Sequence, residues 1–297
     1  MTGCNRIGTQ LAALLTVDAV IDWYEAHEIR EFSPVALKER RRLWGLFRAQ
    51  FGNYLIEDCR PAFLLDFIVS QRGAKSNHTR RRFKATISKP FNDAAQLGMI
   101  ARNPFAGLKI AEGPCGRDWS ENEYREILRK SRAYFRLLIV FLRFSGARPG
   151  EARALKWPDI HDELRAIIQQ EHKTSWATSL PRRIHFNHVI FRLLLWAKRH
   201  KTHDTYVFTN AFGRPWTVKA LTKHLAMIRR RAKLPEDVRC HGARHTFATH
   251  AILNGVDIAT LAELLGHRRI ATTQKYLHLL NKREHLNAAM DRAIGRK

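Results

Sequence analysis

The stretch CHGARHTFATHAILNGVDIATLAELLGHRRIATTQKYLH, at positions 240–278, decides how the rest of the chain is read. His241, Arg244 and His245 stand at i, i+3 and i+4, so on a helix they share one cationic face rich in hydrogen-bond donors. Phe247, Ala251, Ile252, Ile258, Leu261, Leu264 and Leu265 recur at intervals of three and four, the pattern of two core-packed helices broken at Asn254-Gly255. Gly266 falls where a helix C-terminus favours a residue tolerant of positive φ, which leaves His267, Arg268 and Arg269 on a turn. Thr272 is placed to cap another short helix, with Tyr276 about one turn in. The segment gathers an arginine fork, imidazoles and a phenol hydroxyl behind an apolar face.

The whole chain bounds what these groups act on. Its 297 residues suit about two domains, and 45% hydrophobic residues let each bury a core. The 52 Lys and Arg against 27 Asp and Glu leave a formal charge of +25, the signature of a polyanion partner, with nucleic acid foremost. The basic clusters are spread along the chain rather than along one amphipathic helix, which argues against a membrane surface. No apolar run approaches the roughly 20 residues that span a bilayer, so a soluble, cytoplasmic protein is expected. Cys4, Cys59, Cys115 and Cys240 are far apart with no C-x-x-C pair, and read as ordinary reduced thiols.

In chain order, Thr16 caps a helix striped by Val17, Val20, Ile21 and Tyr24, and Ser33-Pro34 opens a second carrying Arg40 and Arg41. The segment 61–69 makes a third helix, and Ser76-Asn77 begins a long fourth with the densest positive patch, Arg80, Arg81, Arg82 and Lys84. Residues 1–106 are thus expected to be an all-helical DNA-binding unit, and the glycine-rich stretch 107–119 a linker. Residues 120–297 form a second domain, opened by a capping box at Ser120 and Glu123. Within it Arg148 sits on the turn S-G-A-R-P-G-E at a helix start, a position suited to an anion. Segments 160–168 and 179–186 read as short strands around a polar hairpin with Lys173 in His172-Lys173-Thr174. The fold class is therefore mainly α with a small antiparallel β-sheet (α+β).

The order of these pieces resembles the tyrosine recombinase, or phage integrase, family. The matching text is S-G-A-R-P-G-E, the H-K-T hairpin, H-G-A-R-H-T-F-A-T, L-L-G-H and Q-K-Y, in order across the second domain. The helical unit resembles that family's core-binding domain, so the likeness covers nearly the whole chain. Ala243 departs from it, standing where members often carry a larger aliphatic residue. The resemblance implies a C-shaped clamp around double-stranded DNA and a site-specific recombinase acting through a 3′-phosphotyrosyl intermediate, in integration or excision of a mobile element. About fifteen residues precede the first helix, from which no separate arm-binding domain is expected.

Such chemistry builds negative charge on two nonbridging phosphate oxygens, which Arg148 and Arg244 suit because a guanidinium stays protonated and offers paired donors. By resemblance Tyr276 is the nucleophile, His241 the base, His267 a phosphate donor and Lys173 the acid for the leaving 5′-oxygen. A phosphotyrosyl link stores the bond energy, so no ATP, cofactor or metal is expected. The helical spacing of His241 and His245 suits zinc, but Gly242 stands where H-E-x-x-H needs glutamate. Arg182, Arg183 and Arg230, like the basic residues of the first domain, are read as phosphate contacts. The plain reading of the same residues has Arg148 paired with Glu151 and Tyr276 anchoring a helix.

Leu277, Leu279, Leu280, Leu286, Ala289, Met290 and Ile294 give an amphipathic tail that folds back on its own domain or docks on a neighbouring subunit of a tetrameric synaptic complex. The resemblance also leaves room for an accessory protein that sets direction. Two other classes fit the same residues. A catalytically idle DNA-binding regulator would bind without covalent attachment, and a relaxing enzyme similar to type IB topoisomerases would need no paired sites. A phosphatase or metallonuclease would lose activity in EDTA.

Overall fold

The computed structural model describes residues 15–27, 32–113, 116–170, 181–267, 269–276 and 290. Lys173 with its hairpin, and the tail after Tyr276 apart from Met290, lie outside these. The chain divides into two compact units, Met1–Pro114 and Cys115–Lys297, and the division falls inside the glycine-rich 107–119 stretch.

The first unit is helical: α1 (Val17–His27), α2 (Pro34–Phe51), α3 (Pro61–Ser70) and α4 (Asn77–Gln96). The starts are set by local side-chain chemistry, since Thr16, Ser33 and Ser76 each accept a hydrogen bond from a backbone N–H three residues on. Helix α4 packs on the other three, around buried Trp44, Phe47, Phe67, Phe91 and Phe105. The rings meet edge to face, with Phe47 to Phe67 at 5.2 Å and Phe91 to Phe105 at 4.9 Å between centroids. Helix α4 runs straight through Pro90, which cannot donate to the carbonyl four residues back. That carbonyl belongs to Thr86, and the Trp44 indole N–H takes it at 3.0 Å, so the missing helical bond is replaced by one that also ties α2 to α4.

The second unit opens at α5 (Glu121–Lys130), where Ser120 and Glu123 form the expected capping box. Buried α6 (Ala133–Ser145) ends at Gly146 in the left-handed region, φ +64°, against the Phe247 ring that a Cβ there would strike at 2.6 Å. Then come α7 (Pro149–Ala154), β1 (Ile160–His161), β2 (Ala166–Gln169), β3 (Arg182–His185), α8 (His188–Arg199), α9 (Val218–Arg231), α10 (Cys240–Leu253) and α11 (Ile258–Leu265). The strands form one antiparallel sheet in the order β1-β2-β3, with Ile167 opposite both Ile160 and Ile184. Helix α6 packs against α10 and α8 at the heart of this unit.

Two sequence expectations need correcting. The strand expected over 160–168 is interrupted at 162–165, where Arg165 adopts φ +47° and turns the chain back on itself. The helix expected around Thr272 and Tyr276 is instead two 3₁₀ turns, Ile270–Thr272 and Gln274–Tyr276, closed by i to i+3 bonds such as Thr273 N–H to the Ile270 carbonyl at 2.7 Å. Among the described residues no helix is long and apolar enough to cross a membrane.

Candidate active site

The site is organised by the C-terminal end of α11. The last carbonyls of a helix have no partner within it, and the helix end carries a partial negative charge. Here three consecutive carbonyls are each taken by a different arginine. Arg182 donates to Leu264 at 2.7 Å, Arg244 to Leu265 at 2.6 Å and Arg148 to Gly266 at 3.3 Å. Arg244 also donates to the Gly146 carbonyl at 2.8 Å, so it bridges the ends of α6 and α11. Gly266 has φ +64°, and a Cβ on it would lie 2.9 Å from the Arg182 guanidinium. Glycine is needed there for both backbone and space.

Glu151 is the carboxylate among these groups. It accepts from the Arg148 side chain at 2.7 Å and from the Arg148 N–H at 2.8 Å, the latter as the third residue of α7 in a capping box, and Arg182 Nε lies 3.6 Å away. Burial alone would raise its carboxyl, but Arg182, the Arg148 N–H and the Arg148 guanidinium hold it below the ordinary 4.5. Among the described residues three guanidiniums face this one carboxylate, an excess of two positive charges in a largely desolvated place. Burial, with Arg148 and Arg182 close by, pushes the Arg244 guanidinium down to about 9. It stays cationic at neutral pH. A phosphodiester would supply the missing negative charge.

The imidazoles and the phenol come from α10 and from the chain that follows α11. Tyr276 is only 6% exposed, packed in an apolar cluster with Ala248, Ile252, Leu261 and Leu265. Its hydroxyl is 2.8 Å from Nδ1 of buried His245. Burial pushes the phenol up to about 12, while the charge of Arg244 draws it down and that of Asp118 adds to the rise. His241 is one helical turn before His245, with ring centroids 5.1 Å apart and edge to face, and is exposed. His267 is held through Nδ1 by the hydroxyl of fully buried Thr273 at 2.7 Å, which orients its other ring nitrogen.

The structure thus brings Arg148, Arg244, His241, His267 and Tyr276 to one region of the second unit. Sequence reasoning gave no role to Thr273, placed His245 only on the cationic face of His241, and read Arg182 as a phosphate contact rather than a buried partner of Glu151. Thr273 lies six residues from His267, and the Arg182 contact with Leu264 joins residues 82 apart.

Arg182 departs from its expected place on the surface: it is 5% exposed, donates to the Leu264 and Arg183 carbonyls, and pairs by charge with Glu151. On β3 alternate residues face opposite sides, so it is Arg183 and not Arg182 that reaches solvent. Arg230 is exposed. In the first unit Arg41 pairs with Glu25 at 3.2 Å, Arg81 with Glu112 at 2.6 Å and Arg82 with Glu39 at 3.5 Å. Arg40 stacks on Phe32 at 4.0 Å, Arg80 donates to the Ala74 carbonyl at 2.9 Å, and Lys84 is half-buried. Such surface pairs are weak.

Residues 118–283 match the phage integrase family profile, and the chain belongs to that family. Among its relatives are tyrosine recombinase XerC of Listeria monocytogenes, 32% identical over 158 residues that make up 52% of this chain and 51% of the relative, and tyrosine recombinase XerD of the same species, 31% identical over 226 residues, 72% of this chain and 76% of the relative. The chain spans about half the length of the XerC relative. Of solved structures, the integrase of transposon Tn1549 in complex with a circular intermediate DNA superposes with a TM-score of 0.75 at 19% identity, covering 94% of this chain and 99% of that one. A lambda integrase tetramer bound to a Holliday junction gives 0.67 at 16% identity, covering 90% of this chain and 82% of that one. These two likenesses are of fold.

Proposed function

We propose that the chain is a site-specific DNA recombinase that cuts and rejoins duplex DNA through a 3′-phosphotyrosyl intermediate, in integration or excision of a mobile element. The observation that carries this reading is the buried excess of positive charge around Arg148 and Arg244, with the Tyr276 phenol in reach of the Arg244 field. A guanidinium has five N–H donors, and the bonds that anchor Arg148 to Glu151 and Gly266 leave others for a phosphate. Preorganised in this way, the two arginines gain most when a second negative charge develops in the transition state. Tyr276 attacks phosphorus, an imidazole takes its proton, His267 donates to a nonbridging oxygen and Lys173 protonates the leaving 5′-oxygen.

Both units bind the duplex, residues 1–106 and 120–297 joined by the 107–119 linker, each through its own basic residues on the backbone. The acting species is a tetramer on paired sites in the cytoplasm, with the tail after Tyr276 joining protomers and an accessory protein setting direction. The test is a nicked suicide substrate, on which the protein should form a covalent adduct that disappears in Tyr276→Phe. An adduct that persists in that variant, or none with the unaltered protein, overturns the reading.

A further inference from the structure

We propose that His245 is a catalytic residue, whose Nδ1 takes the phenolic proton of Tyr276 as the tyrosine attacks the DNA phosphorus. The inference rests on the recombinase reading above and moves to His245 the task that the family resemblance assigns to His241.

Contact comes first. The Tyr276 hydroxyl and His245 Nδ1 are 2.8 Å apart, within the range that proton transfer requires. Both groups are buried, at 6% and 8% exposure, so bulk water does not compete for that hydrogen bond. The imidazole is also held from behind. Gly116 lies so close to Nε2 that a Cβ on it would approach to 3.1 Å, leaving the ring little room to turn. The helical turn that carries His245 is fixed to the same segment, with the Trp119 N–H donating to Thr246 Oγ1 at 2.8 Å and the Trp119 indole to the Arg239 carbonyl at 3.0 Å. Gly242 admits the indole, which a Cβ there would meet at 2.4 Å. Chain entering the second unit therefore sets the imidazole, and the imidazole sets the phenol.

Need comes second. Burial makes this phenol harder to ionise than a free tyrosine. Arg244 offsets part of that cost, and a base in contact supplies the rest.

The step balances without a co-reactant. In the tautomer with its hydrogen on Nε2, His245 accepts at Nδ1. As the bond from Tyr276 oxygen to phosphorus forms and the bond from phosphorus to the 5′-oxygen breaks, the phenolic proton passes to Nδ1 and His245 becomes imidazolium. The leaving oxygen receives its proton from the acid assigned to Lys173. On religation a 5′-hydroxyl attacks and gives its proton back to the group assigned to Lys173, the phosphotyrosyl bond breaks and His245 returns the proton to Tyr276. His241, one turn away and exposed, is then a donor at the phosphate rather than the base.

The experiment compares His245→Ala and His245→Asn in single-turnover cleavage of the nicked substrate, each with either tyrosine or the more acidic 3,5-difluorotyrosine at position 276. His245→Asn retains a hydrogen-bond acceptor near Nδ1 but is no base. Both variants are expected to bind DNA as the parent does, and to form adduct roughly 100-fold more slowly, the scale of lost general-base catalysis. Difluorotyrosine should recover about tenfold or more of that loss in both variants and change the parent little, because an acidic phenol needs the base less. A histidine that merely packs would give the same loss with either phenol, and that result overturns the proposal, as does cleavage by either variant at the parental rate. If His245→Ala does not fold, His245→Asn decides by the same comparison. A parent that forms no adduct overturns the recombinase reading itself and this inference with it, whereas an active parent beside a fully active variant overturns this inference alone.

Discussion

Glu151→Gln isolates the electrostatic claim on which the site rests. The substitution keeps the shape and one acceptor oxygen for the α7 cap but removes the carboxylate that faces Arg148 at 2.7 Å and Arg182 at 3.6 Å. Breaking a buried ion pair by neutralising one partner costs about 3–5 kcal/mol, because the other charges stay behind unpaired. The retained hydrogen bond puts glutamine at the lower end, about 3 kcal/mol, which in a unit of this size is a fall of about 6–12 °C in Tm. The penalty should depend on pH in a definite direction. The folded state holds this carboxyl below its ordinary 4.5, so its stabilisation is complete above that value and is lost as pH falls through the lower folded one. Parent and variant should therefore melt far apart near neutral pH and draw together in acid. Thermal melts across that range read it directly. A gap of the same size in acid and at neutrality, or no gap at neutrality, would show that the carboxylate does not offset the arginines.

Further outcomes follow from single contacts. Thr273→Val removes the hydroxyl that orients His267, and is expected to slow adduct formation about fivefold, equivalent to the roughly 1 kcal/mol of one hydrogen bond, with DNA affinity unchanged and with recovery in Thr273→Ser. Gly266→Ala places a methyl at 2.9 Å from the Arg182 guanidinium on a backbone with φ +64°, and should cost about 1–3 kcal/mol in denaturant melts. Arg183→Ala should reduce the slope of log affinity against log salt by about 1, as the loss of one phosphate contact does. An unchanged slope in that variant would place Arg183 off the DNA.

The parts of the fold legible in sequence are those set by near neighbours. Thr16, Ser33, Ser76, and Ser120 with Glu123 cap helices within three residues of themselves, so spacing alone locates them. Gly266 was readable for the same reason, since a left-handed turn at a helix end selects for glycine. The turn at 162–165 was hidden because Arg165 carries a positive φ that no glycine or asparagine announces. Arg182 was misplaced because its burial depends on a carbonyl 82 residues away. His245 and Tyr276, separated by 31 residues, were each visible, but only the packing of the Gln274–Tyr276 turn on α10 brings hydroxyl and imidazole together.

The three arginines do not hang on separate pegs. Because they share adjacent carbonyls of one turn, Leu264, Leu265 and Gly266, a shift of α11 pulls on all three guanidiniums at once, against the holds of Gly146 on Arg244 and of Glu151 on Arg148. Whatever pushes on this eight-residue helix therefore reaches the whole of the proposed phosphate site, rather than one prong at a time.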